Sequence, residues 1–507
     1  MMTKTFAYRQ RFSFSTTNEE GEKMGEIIPH WLTKQAELSP NRIAIEWEDG
    51  RRVTFHQLKT RSQQLARKLA NSGVKKGSHV AILSPNSMEM ITAIHALSYL
   101  GAVIVLLNIR LTAEELNFQV KDAEVSHLLT DDSMLETGQK LNVNVITSFT
   151  MAEKSAEKDV ALQEEINLDD PFTIMYTSGT TGFPKGVVHT YGNHWWSAIS
   201  SALNLGLNQA DKWLIPLPLF HVSGLSTLLK GIIYGMPVYL FVKFDERRVH
   251  EAIMTKGITI ISVVAVMLQR WLHIMEEGER PDKLRCALLG GGPAPKSLLE
   301  KAKKRNIPVF QSYGMTETSS QIATLSPTDA LRKLGSAGKP LFPAQLRIDK
   351  KDNEKIGEIV VKGPMVTKGY YNRDDANRDA FTDGWLKTGD LGYLDEDGYL
   401  YVVDRRKDLI ISGGENIYPS EIEGVLSGME QVKEVGVAGK GDPDWGQVPV
   451  AFVVPRGKIA KEEIYRFLQQ KLAKYKWPKE IYFVDALPRN AANKLVRHKL
   501  LDLMDQT

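Results

Sequence analysis

The chain has one cysteine among 507 residues, which excludes an intrachain disulfide and any multi-cysteine metal cluster and fits a reducing, cytoplasmic compartment. That residue, Cys286, lies in the apolar run LRCALLGGG and reads as a buried structural thiol. An excess of one charge is lacking too. With 64 basic against 61 acidic residues and a net charge of +3, the chain has no broad footprint for nucleic acid or an anionic membrane, so charge has to act locally. The first residues, through Trp31, contain no continuous apolar stretch, which argues against a secretory signal. No apolar run is long enough to demand a membrane span: MITAIHALSYLGAVIVLL, Met90 to Leu107, is split by Gly101 into a helix-like piece and a β-branched run. Internal repeats, low-complexity tracts and sustained heptads are also absent, and the assembly state, homo-oligomer or not, is left open.

What is present is an ordinary globular composition, 42% hydrophobic and 25% charged. Short apolar runs bounded by turn residues, such as HVAILSPN, SHLLTDD, FTIMYTSG, PVYLFV and IPVFQSYG, alternate with amphipathic stretches such as TFHQLKTRSQQLARKLANSG. That alternation predicts an α/β fold in which parallel or mixed sheets are sandwiched by helices, with ligands at the carboxyl ends of strands. From about Asp395 the pattern turns to hairpin signals, and the last hundred or so residues read as a small α+β unit. Residues 1–23 are expected to be an extension that packs little, 24–404 a large domain and 405–507 a small mobile one, with the boundary at DRRK.

The stretch MYTSGTTGFPKGVVHTYGNH, Met175 to His194, crowds glycines and hydroxyls around Lys185. It is not a Walker loop, because Phe183 and Pro184 separate Gly182 from Lys185. Its physics is similar: glycines let backbone amides approach an anion, hydroxyls add donors and the lysine adds charge. Alone, such a loop is more readily a flexible surface turn. It is followed, however, by PLPLFHVSG at 216–224, GGGPAP at 290–295, QSYGMTET at 311–318, GWLKTGDLGYLDEDGYLYVVDRRKDLIISGGENIYP at 384–419 and LPRNAANKLVR at 487–497. In this order the motifs resemble those of the adenylate-forming superfamily of acyl- and aryl-CoA ligases, luciferases and peptide-synthetase adenylation domains, over nearly all of the chain after Met24.

That resemblance implies a reaction in two halves. A carboxylate attacks the α-phosphorus of ATP, with Mg2+, to give an acyl adenylate and pyrophosphate, and coenzyme A then displaces AMP. It implies that Thr177, Ser178, Gly179, Thr180, Thr181 and Lys185 hold the β- and γ-phosphates, that Thr316 contacts the α-phosphate and that Glu317 meets the metal. It places adenine at Gly291, Gly292, Pro293 and Tyr313, beside Ser312 and Gly314, and the ribose at Asp390 and Arg405. Read in isolation, Glu317 is a capping or surface acid and the others turn formers. Lys494 matches the carboxy-terminal lysine that bridges carboxylate and α-phosphate, although Asn493 stands where a glycine is usual. Lys407 falls at the hinge, and Gly413 and Gly414 on the path for the CoA thiol. His221, Ser223 and Gly290 border the acyl pocket, where His221 orients and gates substrate.

Several motifs, among them LLGGGPAP, KLGSAGKPLF and LPRNAANKL, are closest to the branch that joins coenzyme A to a succinyl-substituted benzoate for menaquinone synthesis. Such an acid keeps an unreacted aromatic carboxylate, so the pocket needs apolar walls and a donor, for which Ser223, His221 and Arg110 are candidates. Ala265 and Val266 leave the pocket less polar than that acid leads one to expect. A ligase for another aryl or medium-chain fatty acid, or a non-catalytic sensor of nucleotides, is the alternative.

Overall fold

A computed structural model describes residues 25–178, 184–291, 294–352, 354–404, 409–489 and 495–506. Three large sheets and a two-stranded one, Ile27–Pro29 with Glu165–Asn167, organise them. In the first, His79–Leu83 is flanked by the parallel strands Val103–Leu106 and His127–Thr130, and Pro171–Ser178 extends the sheet in parallel before Pro184–Thr190 returns antiparallel. The second runs parallel through Ile43–Trp47, Val238–Leu240, Trp213–Ile215, Ile260–Val264, Cys286–Gly290 and Val309–Met315. It continues antiparallel through Ser320–Leu325, Ser336–Pro340, Leu400–Asp404, Trp385–Leu394, Gly357–Lys362 and Gln345–Asp349. A third sheet, from Ile410–Ser412 to Glu480–Phe483, packs against the helices Pro419–Ser427 and Lys461–Lys471. Sheet membership thus changes between Asp404 and Ile410.

Local sequence explains most of these elements. Thr54 and Gln57 close a capping box at the start of Phe55–Asn71, whose Phe55, Leu58, Leu65 and Leu69 recur on one buried face. The long apolar run is a helix, Met88–Leu100, that is buried on nearly all sides and stops where Gly101 turns left-handed at φ 67°, and then a strand. No described helix is long and apolar enough to cross a membrane. Cys286 is buried, and burial pushes its thiol up to about 12.

The core around the first sheet also encloses His30, His95, His189 and His194. Burial lowers all four imidazoles from 6.5: His30 to about 3, His95 and His189 to about 4, and His194 well below its ordinary value. Unfolded, each titrates near 6.5, so stability is complete above that pH and is lost below it, as the unfolded chain takes protons that the native state refuses. The loss is about 2 kcal/mol per imidazole at pH 5. The thermal midpoint is therefore expected to drop steeply between pH 7 and 5. His95→Leu, which removes a ring whose Nε2 is buried without a partner among the described residues, is expected to flatten that slope by about one proton. An unchanged slope in calorimetry would contradict the account.

Candidate active site

The glycine-rich stretch spans two antiparallel strands of the first sheet, the second of which pairs outward with Gly369–Tyr370. Thr177 pairs with Lys185 and Ser178 with Pro184 across its two strands. Lys185 Nζ lies 5.1 Å from the centroid of the Tyr370 ring, and the Tyr370 hydroxyl donates to Glu317 Oε1 at 2.9 Å. Glu317 is only 4% exposed, held on the single 3-10 turn that follows Val309–Met315. Its neighbour Thr316 is fixed through its carbonyl, which accepts from His189 Nε2 at 2.7 Å. That bond sets the tautomers behind it: the Thr173 hydroxyl donates to His189 Nδ1, and His194 Nε2 donates to Thr173 Oγ1. Burial keeps both rings neutral, so a chain of hydrogen bonds ties the turn carrying Glu317 to the strands carrying the loop.

The nucleoside side is built on the strand that leads into that turn. Tyr313 OH donates to Asp390 Oδ2 at 2.7 Å, which brings together the residues expected at adenine and ribose. Ser312 Oγ donates to the Leu289 carbonyl and ties this strand to the one ending at Gly290. Gly314 is required by close approach: a Cβ there would lie 2.0 Å from the Ser320 carbonyl oxygen. Gly291, at φ 83°, and Gly414, at φ 89°, both face Val264, each of them a Cβ's contact away from its Cγ1. Gly413 and Gly414 form the left-handed two-residue turn between Ile410–Ser412 and Glu415–Ile417, and the Trp445 ring covers Gly413. The turn geometry alone demands glycines there.

His221 and Arg110 converge on the residue after that turn. His221 Nε2 is 3.1 Å from Glu415 Oε1, and Arg110 Nη1 donates to the same oxygen at 2.5 Å. Burial raises the Glu415 carboxyl, but His221 first, then Arg110 and Lys476, outweigh it and hold the group at about 2. Both expected donors for a spare carboxylate are therefore engaged, and Ser223 is exposed at the start of the Val222–Tyr234 helix. Gly179, Thr180, Thr181, Gly292, Pro293, Arg405, Lys407, Lys494 and the Ser178 side chain lie outside the described residues.

The cation that sequence reasoning missed is Lys230, on the same helix as Ser223. It is 2% exposed; its Nζ is 3.3 Å from Ser320 Oγ and 5.9 Å from the Trp213 ring centroid. Trp213 Nε1 donates to Ser262 Oγ at 3.0 Å, and Thr227 Oγ1 is 3.4 Å from that hydroxyl. Ser262 precedes Val264 by two residues on one strand, so they share a face about 7 Å apart. Among the described residues, no carboxylate is within ion-pair distance of it, and burial lowers its ammonium to about 7. The available signal was a lysine inside the apolar helical run LSTLLKGIIY.

Residues 32–371 match the sequence profile of AMP-binding enzymes, and 421–494 that of the AMP-binding enzyme C-terminal domain. The chain belongs to the AMP-binding enzyme family. Two relatives within this family are a 2-succinylbenzoate–CoA ligase of Oceanobacillus iheyensis, 60% identical over 94% of this chain and 100% of the relative, and one of Bacillus cytotoxicus, 56% identical over 95% and 100%. An o-succinylbenzoate CoA synthetase of Bacillus subtilis, as a double mutant bound with its product analogue OSB-NCoA, superposes with a TM-score of 0.90 at 48% identity over 94% of this chain and 98% of that one. The same B. subtilis enzyme in complex with ATP and magnesium ion gives 0.74, at 48% identity over 94% and 100%. In this AMP-binding enzyme Gly414, in the turn after Ile410–Ser412, lies against Val264.

Proposed function

We propose that the chain is an AMP-forming acid–thiol ligase that joins 2-succinylbenzoate to coenzyme A through an acyl adenylate, releasing diphosphate and then AMP. Full-length similarity to ligases of that name supports the activity, and the observation that carries the substrate is Lys230. A buried ammonium with hydroxyl neighbours and no acid partner is costly to keep. A monocarboxylate whose only acid group is being activated leaves it unpaired, whereas the ring carboxylate of 2-succinylbenzoate supplies the missing charge.

In the first half-reaction the succinyl carboxylate attacks the α-phosphorus in line, so the protein has to position and neutralise rather than react. Lys185 and the hydroxyls of Thr177 and Ser178 take the outer phosphates, Thr316 the α-phosphate, and Asp390 the ribose diol, with Tyr313 fixing the Asp390 carboxylate. A magnesium ion fits this donor set, since Glu317 offers a buried oxygen beside the phosphate loop and a hard cation completes its shell with nucleotide oxygens and water. It supplies charge neutralisation on the phosphates. In the second half-reaction Glu415 occupies His221 and Arg110 while the Gly413–Gly414 turn borders the thiol's approach.

The test is pyrophosphate release in the absence of CoA with 2-succinylbenzoate, benzoate, coumarate and octanoate in parallel. 2-Succinylbenzoate is expected to lead by roughly a hundredfold in kcat/KM, the worth of one buried charge pair. A lead for octanoate would overturn the substrate and leave the ligase reading standing.

A further inference from the structure

The segment after Val103–Leu106, at the carboxyl end of that strand, reaches the third sheet's unit with three charged side chains within six residues. Besides Arg110 and Glu415, Glu114 Oε1 accepts from Lys471 Nζ at 2.9 Å. Glu115 Oε1 accepts from Lys476 Nζ at 2.6 Å, and its Oε2 from the Ala473 amide at 3.0 Å. Lys476 is 4% exposed and also donates to Glu421 Oε1, within its own unit, at 2.6 Å. Burial lowers Lys476, but Glu421, Tyr475 and Glu115 more than reverse that, whereas burial raises Glu421 despite Lys476.

Glu115 is rigid before it meets Lys476. Its Oε2 accepts from the backbone and hydroxyl of Thr112, both at 2.8 Å, closing the capping box of the Ala113–Asp122 helix. The carboxylate is therefore aimed by the large unit, and the ammonium by Glu421 in the small one. A buried cluster of this kind adds little net stability but penalises misplacement strongly, because any shift strands a desolvated charge. The arrangement that completes it is also the one that seats Gly414 on Val264 and Glu415 on His221.

We propose that Arg110–Glu115 is a dock that selects the thioester-forming arrangement of the small unit over the adenylate-forming one. The inference rests on the two-step ligase reading above. It makes Glu115 and Lys476 positioning residues: they touch no substrate, and they set how often the Gly413–Gly414 turn is presented.

Glu115→Gln keeps the shape and the cap while removing the charge. Thioester formation from supplied 2-succinylbenzoyl adenylate and CoA is expected to fall about tenfold or more, with adenylate formation from ATP and acid within about twofold of wild type. Glu114→Lys, at an exposed pair, is expected to cost about threefold in the thioester step and to recover in Glu114→Lys/Lys471→Glu. Spin labels on Lys140→Cys and Lys458→Cys, where Cys286 is too buried to label, are expected to show the docked distance losing population in Glu115→Gln without any substrate. Parallel loss in both half-reactions, an unchanged thioester rate, a charge swap that fails to recover, or an unshifted distance would each overturn the dock. If instead the wild type forms no adenylate from 2-succinylbenzoate, the substrate reading fails while the label distances still decide the dock.

Discussion

Replacing Lys230 with methionine is expected to raise the KM for 2-succinylbenzoate in adenylate formation by roughly a hundredfold, about 3 kcal/mol, because the ring carboxylate is left desolvated beside an apolar side chain. For 4-oxo-4-phenylbutanoate, the same acid without its ring carboxylate, the variant is expected to equal or exceed wild type, since no buried ammonium then remains uncompensated. The pH dependence separates this role from packing. In the empty site the ammonium is lowered to about 7, so below pH 7 the lysine is already cationic and binds the carboxylate without taking up a proton. Above pH 7 binding has to protonate it first, and KM is expected to climb by about tenfold per pH unit until the pKa of the bound state is reached. Lys230→Met is expected to abolish that climb. It is also expected to raise the melting temperature of the empty enzyme, whereas a lysine kept for packing would lower it when truncated.

The parts of the fold that could be read in advance are those with a local cause. Thr54 followed by Gln57, the glycine after Leu100 and the apolar runs at His79–Leu83 and Ile260–Val264 each fix an element from within a few residues. The antiparallel half of the second sheet escaped for a physical reason. Gln345–Asp349 alternates half-buried and exposed side chains at a sheet edge, so it lacks the apolar run that announces a buried strand. In the candidate site, Glu317, Tyr313 and Asp390 stand in recognisable motifs, but the partners that hold them do not. Tyr370 reaches Glu317 across 53 residues and Lys476 reaches Glu115 across 361, and neither stands in a stretch whose pattern marks it. Lys230 contradicts the apolar pattern of its helix, and a contradiction of that kind on a buried face is a functional-site candidate.

Lys494→Ala is expected to lower adenylate formation by about a hundred- to a thousandfold, the range for removing a donor aimed at charge that develops in the transition state. Thioester formation from supplied acyl adenylate and CoA is expected to stay within about threefold, because by then the charge on the α-phosphate is no longer developing against an incoming carboxylate. The described residues around position 494 explain why the two halves should separate. Arg489 and Leu495 pair in an antiparallel bridge, Arg489 Nη2 donates to Glu434 Oε2 at 2.7 Å, and Arg497 Nη1 donates to Glu423 and to the Val437 carbonyl. The described residues that flank this position, Arg489 and Arg497, are thus fastened to the third sheet's unit. On the proposed dock, Glu115 holding Lys476 belongs to the thioester step and Lys494 to the adenylate step, so deletion of Lys494 and of the Glu115 charge should impair opposite half-reactions. Equal losses in both steps for Lys494→Ala would show that one arrangement serves the whole reaction.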